Sequence, residues 1–356
     1  MKKILISTGG TGGHVIPAEI LSDHLKDIYE IHFSTDKRGL KFLASNKNKT
    51  IVINTPKINL SFVLPFKLIK LFFLIIQSMI YLKKEKINKV VSIGGYMSVP
   101  VIIAAKILAV EIYLLEPNLA LGRGNKFFLN FSEKIICYSN EIKNFPKRFI
   151  NKIELIKPLI LKDFYKKNIN DHINKNFCFL IVGGSQGAII FDNFIKDIII
   201  ELSKKYTISV IQQTNIDNFD NLKKIYNQNN IKNKIFNFEK NFVNLIEESD
   251  LCITRAGATS LAEISIMNKP FIAVPLPTSK DNHQMENAKF YEKAGCCWIL
   301  EQENIQKDRD KLANILSNIL QDKSEYINKK TNLKKFNYQN SWNDVNQKIK
   351  EIFNEN

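Results

Sequence analysis

Short apolar runs alternate with segments whose apolar residues recur every three or four positions, and the alternation persists along most of the 356 residues. Residues 3–7 form a strand-like run ending in glycines, 16–25 have helical spacing, and 30–34 are strand-like again, so the chain opens as a βαβ unit. The strand pattern at 90–93 leads through Gly94-Gly95-Tyr96 into an apolar helix over 99–109, and the strand at 112–115 runs into Glu116-Pro117-Asn118. The pattern breaks at 155–167, around Pro158, and a polar stretch over 168–176 precedes a fresh strand at 177–182. The same logic then repeats: helix 191–204, strands 207–212 and 234–238, helix 242–249, strand 251–254, helix 259–267 and strand 271–274, before a polar helical segment over 329–353. Strands alternating with helices predict parallel sheets with helices on both faces, an α/β fold. The length exceeds what one hydrophobic core usually supports. Two Rossmann-like doubly wound domains, 1–158 and 159–336, are expected to face each other across a cleft, with a C-terminal helix at about 337–356 packing back on the first.

Each half carries a glycine-rich turn between its first strand and first helix: Gly9-Gly10-Thr11-Gly12-Gly13-His14 and Gly183-Gly184-Ser185-Gln186-Gly187-Ala188. Glycine permits the positive φ of a sharp reversal and lets a phosphate or sugar approach backbone N–H groups. Lys and Arg number 51 against 35 Asp and Glu, a net charge of +16, which favours anionic partners. The bias toward Lys, Asn and Ile along the whole chain weakens that inference. Five cysteines without CxxC spacing support neither a disulfide framework nor a zinc site and suggest a reducing compartment. The apolar opening is too short for a signal peptide and is expected to be strand one.

Residues 60–82, LSFVLPFKLIKLFFLIIQSMIYL, are the most hydrophobic stretch and run into Lys83-Lys84-Glu85-Lys86. Pro65, Lys67, Lys70 and Gln77 interrupt it, and spanning a membrane would sever the first sheet. Phe62, Phe66, Ile69, Phe72, Phe73 and Ile76 offer more apolar surface than one core-facing side needs, and Lys67, Lys70, Lys83 and Lys84 stand beside them. That combination predicts a helix lying in the interface of an anionic bilayer, partly serving the core.

His14, one residue past the first glycine turn, is a candidate general base for a sugar hydroxyl, because its unperturbed pKa lies near neutrality. Glu116, at the end of another strand, is the alternative base or an orienting group. In the second half, the small residues Ala256 to Thr259 would expose backbone N–H groups and a helix N-terminus to a diphosphate, and Glu263 one turn on can accept from both hydroxyls of a ribose. Asp281-Asn282-His283-Gln284-Met285-Glu286-Asn287-Ala288 could read sugar hydroxyls. Asp308-Arg309-Asp310 has the spacing of metal-binding transferases but is expected on an exposed helix face.

GGTGGHxxPA at 9–18, GGYxSxP at 94–100, ExN at 116–118, GGSQGA at 183–188, RAGATSLAE at 255–263 and DNHQxENA at 281–288 stand in the same order as in the MurG family, which this chain resembles over nearly its whole length. The resemblance implies a GT-B architecture. It also implies inverting transfer of N-acetylglucosamine from UDP-N-acetylglucosamine (UDP-GlcNAc) to the 4-hydroxyl of N-acetylmuramic acid in lipid I, giving lipid II for peptidoglycan synthesis, and so a part in cell-wall biogenesis, cell shape and division. It implies peripheral attachment to the cytoplasmic face of the inner membrane, contact with other cell-wall synthesis proteins, no metal or other cofactor and no nucleic-acid partner. The family's donor contacts fall on Thr11, Gly12, Gly13, Asn118, Ser185, Ala258, Thr259, Ser260, Leu261, Ala262, Glu263 and Gln284, and its uracil-facing backbone position on Glu239. Two motifs depart. Leu115-Glu116-Pro117-Asn118 stands for His-Glu-Gln-Asn, and Ile160 stands where the family has a donor-binding arginine. Either Lys157 or Lys162 supplies that charge or donor affinity is weaker.

Three rivals remain in the sequence. A dehydrogenase would use Asp36 or Arg38 near the second strand for ribose, but its GxGxxG is missing. A non-enzymatic membrane or nucleic-acid binder leaves RAGATSLAE unexplained. Another GT-B enzyme, a different lipid glycosyltransferase or a UDP-GlcNAc epimerase, is the closest rival.

Overall fold

The computed structural model describes residues 1–10, 12–43, 49–57, 62–167, 173–184, 189–239, 241–302 and 305–354. Thr11 and Ser185, both expected donor contacts, lie outside the described residues, as does the rest of the second glycine turn through Ala188. The chain forms two compact units, Met1–Ile160 with Ser341–Asn356, and Leu161–Asn340.

The first unit runs β1 (Lys2–Ser7), α1 (Gly12–Leu25), β2 (Tyr29–Thr35), β3 (Thr50–Val52), α2 (Leu64–Lys84), β4 (Lys89–Ser92), α3 (Val99–Ile107), β5 (Glu111–Glu116), α4 (Arg123–Phe128), β6 (Lys134–Cys137) and β7 (Ile153–Leu155). Its strands pair in parallel in the order β3-β2-β1-β4-β5-β6-β7. The apolar run of β1 is buried on both faces because helices cover both. Ile4 and Ile6 pack into the core beneath α1, with Val15, Leu21 and Leu25. Leu5, pointing the other way, joins Val101, Ile102, Leu82 and Phe128 beneath α2, α3 and α4.

The second unit continues with α5 (Lys162–Tyr165), β8 (Phe177–Val182), α6 (Ile189–Ser203), β9 (Ile208–Gln213), α7 (Phe219–Gln228), β10 (Lys232–Phe236), α8 (Phe242–Glu248), β11 (Leu251–Thr254), α9 (Ala258–Ile266), β12 (Phe271–Ala273), α10 (His283–Lys293), β13 (Cys297–Ile299), α11 (Ile305–Gln321) and α12 (Ser324–Phe336). Its parallel sheet has the order β10-β9-β8-β11-β12-β13. Both sheets reverse strand order beside their first strand, between β1 and β4 and between β8 and β11. Open α/β sheets bind ligands at such switch points, outside the strands' C-terminal ends.

The last helix, α13 (Trp342–Asn354), belongs to the first unit. Ser341 and Asp344 form a reciprocal cap at its start: the Ser341 hydroxyl accepts from the Asp344 amide at 3.2 Å, and the Asp344 carboxylate accepts from the Ser341 amide at 3.2 Å. Val345, Ile349, Ile352 and Phe353 fall on one helical face and are buried in the core beneath α1. Trp342 stacks on His24 at 3.8 Å, and the Tyr29 hydroxyl donates to the Phe353 carbonyl at 2.9 Å. The helical segment expected over 329–353 is therefore two helices, α12 and α13, separated at Gln339, whose φ is +55°. Strand β10 lies two residues earlier than the pattern over 234–238 predicts, which leaves Phe238 in the following loop, 81% exposed.

Candidate active site

In the first unit the motif residues gather at the C-terminal ends of β1, β2, β4 and β5. Backbone pairing with β2 ends with the Thr8 amide donating to the Ser34 carbonyl at 2.9 Å. Beyond it Gly10 has φ +83°, a conformation that a side chain strains. Its amide donates to Asp36 Oδ1 at 2.9 Å, so a carboxylate holds the turn. Helix α1 starts at Gly12, earlier than the spacing over 16–25 predicts, and carries His14, half-buried, in its first turn; Gly12 is buried and Gly13 exposed.

Glu116 ends β5 and is buried. Its Oε1 accepts from the Asn118 amide and side chain, both at 3.2 Å; its Oε2 accepts from the Gly122 amide at 2.8 Å and the Asn125 side chain at 3.1 Å. Burial pushes its pKa up, and those four donors pull against it. Glu116 thus folds the loop after β5 around itself and sets Asn118, which is the geometry of an orienting group. A Cβ at Gly122 would sit 3.0 Å from Glu116 Oε2, a tight contact that the carboxylate would have to yield to.

In the second unit, Gly184 has φ +79° with open space around a would-be Cβ, so the turn needs glycine for its backbone conformation. Gly257 caps α9, and Ala258, Thr259 and Ser260 are half-buried in its first turn, while Leu261 and Ala262 turn into the core. Glu263 is 8% exposed, and desolvation raises its pKa to about 8. The α10 motif holds this region from the next loop: Asn287 donates to the Ala256 carbonyl at 3.1 Å, and Gln284 accepts from the Leu276 amide at 2.9 Å. Arg255 turns away from the helix terminus; it donates to the Val274 carbonyl at 3.2 Å and to Gln302 at 2.9 Å, and lies over the Phe191 ring. Glu239 is half-buried in the loop after β10, where its carboxylate accepts from the Asn241 amide at 2.8 Å.

One sequence expectation changes. Asp308 is 7% exposed, not on an outward face, whereas Asp310 is exposed, so successive residues of α11 send the two carboxylates in different directions. Among the described residues no group of three His, Cys, Asp or Glu side chains could hold a metal ion. Ile160 is 1% exposed and apolar, so nothing at that position supplies a cation. Asp36, the carboxylate a dinucleotide would need for its ribose, is already committed to backbone amides and Arg38.

Of the apolar segment, Phe62, Phe66, Ile69, Phe72 and Phe73 are exposed, as are Lys70, Lys83 and Lys84; Ile76 and Lys67 are half-buried. Only Ser78 and Leu82 of α2 are buried. Its C-terminal half packs on the core through Leu74, Ile75, Met79 and Tyr81, and the Tyr81 hydroxyl pairs with His32 at 2.8 Å. The helix is long and apolar enough to cross a membrane by length and composition, yet that half is built into the first unit.

Sequence reasoning missed Asp192. Its carboxylate accepts from Gln212 at 3.0 Å, Thr214 at 2.6 Å and Asn218 at 2.9 Å, tying α6 to the end of β9. An acid in the first turn after a glycine loop was the available signal; its partners, 20 to 26 residues on, were not.

Two parallel α/β units, each with glycine turns at its switch point, define the class of the GT-B nucleotide-sugar enzymes. Residues 4–137 match the glycosyltransferase family 28 N-terminal domain and residues 178–345 the family 28 C-terminal domain. A protein of Pelagibacter ubique named UDP-N-acetylglucosamine–N-acetylmuramyl-(pentapeptide) pyrophosphoryl-undecaprenol N-acetylglucosamine transferase is 49% identical, over 100% of this chain and 99% of its own. The Rickettsia bellii protein of the same name is 34% identical, over 93% and 96%. MurG of Acinetobacter baumannii shares the fold with a TM-score of 0.78 at 20% identity, over 99% of this chain and 100% of that one; UDP-GlcNAc 2-epimerase of Neisseria meningitidis does so at 0.68 and 15%, over 99% and 100%. The chain belongs to glycosyltransferase family 28, among the MurG-type transferases.

Proposed function

We infer that this protein transfers N-acetylglucosamine from UDP-GlcNAc to the 4-hydroxyl of N-acetylmuramic acid in lipid I, forming lipid II. The observation that carries the reading is the 49% identity along the full chain to a transferase of that name. The second unit holds UDP: the ribose hydroxyls donate to Glu263, the uracil faces the backbone at Glu239, and the diphosphate lies against the first turn of α9, with Gln284 on the sugar. Helix N-termini favour such anions. The first unit holds the acceptor, and the donor contacts that the family resemblance implies there are Gly12, Gly13 and Asn118. The acceptor oxygen attacks the anomeric carbon as its bond to the phosphate oxygen breaks. His14 takes the hydroxyl proton, UDP leaves with the bonding pair, and one displacement inverts the centre. Glu116 acts by holding Asn118.

Attachment to an anionic membrane surface fits the exposed aromatic face and lysines of α2, and a lipid-borne acceptor is presented there. The product feeds peptidoglycan synthesis from the cytoplasmic side. No resident metal takes part in this scheme; charge on the leaving diphosphate is met by backbone N–H groups and helix dipoles.

The test is transfer of labelled N-acetylglucosamine to a lipid I analogue, run with and without a chelator. Lipid II at equal rates in both arms is expected. Conversion of UDP-GlcNAc to its 2-epimer without acceptor would contradict the assignment, and loss of turnover in chelator would contradict the metal-free scheme.

A further inference from the structure

The turn that leads into His14 has little to hold it in place from within. Its two glycines impose no conformation of their own, backbone pairing with β2 stops at Thr8, and the turn depends on what packs against it. Among the described residues, a buried carboxylate packs against it, beside the Met97 side chain and Gly39. Asp36, 7% exposed at the end of β2, accepts through Oδ1 from the Gly10 amide at 2.9 Å and from the Gly39 amide at 2.8 Å. Its Oδ2 accepts from Arg38 Nε at 3.2 Å and Nη2 at 3.1 Å, and the same Nη2 donates to the Tyr96 hydroxyl at 2.9 Å.

Three loops, from the ends of β1, β2 and β4, therefore meet at the Asp36–Arg38 pair. The packing leaves no slack. A Cβ on Gly39 would fall 2.3 Å from Thr35 Oγ1 and 2.8 Å from Gly9 Cα, and one on Gly10 would fall 2.8 Å from the Met97 side chain. Met97 is buried, and Thr55 donates to its backbone carbonyl at 3.3 Å. A buried carboxylate accepting two amides and a guanidinium is a charge-assisted network with both oxygens used, and removing it would leave the Gly10 amide without its acceptor.

We propose that Asp36, held by Arg38, is a positioning residue for the transfer reaction: it fixes the backbone of the first glycine turn and thereby the start of α1, where His14 meets the acceptor hydroxyl. It acts through the backbone. The inference rests on the functional reading above, in which His14 removes the acceptor's proton. It gives Asp36 and Arg38 a task unrelated to the ribose recognition that such residues perform in dinucleotide folds. A displacement of the base by about 1 Å costs on the order of 100-fold in rate, so a loop brace of this kind reads out in kcat.

The experiment compares Asp36→Ala, Arg38→Ala and Arg38→Lys with the parent, measuring kcat, UDP affinity and stoichiometry by calorimetry, and the thermal midpoint. UDP is the control ligand because the groups proposed for its ribose, uracil and diphosphate, Glu263, Glu239 and the first turn of α9, lie in the other unit. Asp36→Ala is expected to lower kcat roughly 100-fold with UDP affinity within threefold and one UDP site per chain. Arg38→Ala, which removes a half-exposed side chain, is expected to lower kcat about tenfold with the thermal midpoint little changed, and Arg38→Lys to recover part of it. A kcat within threefold of the parent in Asp36→Ala or, where that variant does not fold, in Arg38→Ala would overturn the proposal. So would a loss of kcat matched by an equal loss of UDP sites, or an Arg38→Lys no better than Arg38→Ala. A parent that transfers nothing overturns the functional reading and this inference with it; an active parent with unaffected variants overturns the inference alone.

Discussion

Two glutamates of similar burial have opposite surroundings, and the difference separates the roles proposed for them. Glu116 is ringed by four N–H donors and has no lone pair to spare for a substrate proton. Glu263 has a pKa raised to about 8 by desolvation alone. In the empty protein it is therefore largely protonated at neutral pH, and a ribose that donates two hydroxyls to it stabilises the ionised form. On the proposed reading bound UDP pulls the proton off, so affinity rises with pH until the free carboxyl has ionised. We expect the KM for UDP-GlcNAc to fall as pH is raised from 6.5 to about 8 and then level, and the slope to vanish in Glu263→Gln; a parent KM flat across that range would contradict it. The same shift works against stability: the unfolded chain ionises this group near its ordinary pKa, so its contribution declines as pH rises from about 4.5 toward 8. For His14→Ala the expected outcome is a kcat lowered by about 10²- to 10⁴-fold with UDP binding intact by calorimetry. The glycine turns were legible in the sequence because positive φ demands a residue type. Asp36 was not, since nothing local shows that its partners are Gly10, Gly39 and Arg38.

At the level of elements, long periodic segments were easy to read, whereas among the described three-residue strands β12 was read and three others were not. β3, β7 and β13 have three residues each, too few for any period to register, and they are strands because a parallel neighbour offers its edge. Helix α2 shows the converse. Its apolar surplus was visible in the sequence, and the structure divides it between a half packed on the sheet and a half whose phenylalanines face outward. Each phenylalanine leaving water contributes roughly 1.5–3 kcal/mol, and each lysine near anionic lipid about 1 kcal/mol. A Phe66→Ser, Phe72→Ser double variant is thus expected to bind phosphatidylglycerol-containing vesicles at least tenfold more weakly in co-sedimentation, while its turnover of a water-soluble acceptor stays within twofold. Unchanged vesicle binding would contradict the interfacial role.

Taken whole, the molecule closes its first unit with its last helix: α13 comes back with Val345, Ile349, Ile352 and Phe353 buried beneath α1. The first unit is consequently assembled from both ends of the chain, and its core is complete only when the C-terminus has docked. Two sheets with the same order reversal, each marked by glycine turns, were legible because the alternation of strand and helix repeats; the capped break before α13 was not, because residues 329–353 read as one polar helix. The central claim is transfer by a single displacement from a nucleotide sugar to a lipid-borne alcohol. It is tested most directly by the anomeric configuration of the disaccharide formed from α-linked UDP-GlcNAc and a lipid I analogue, read by proton NMR. The account predicts a β-linkage to the 4-hydroxyl; an α-linked product, or none, would contradict it.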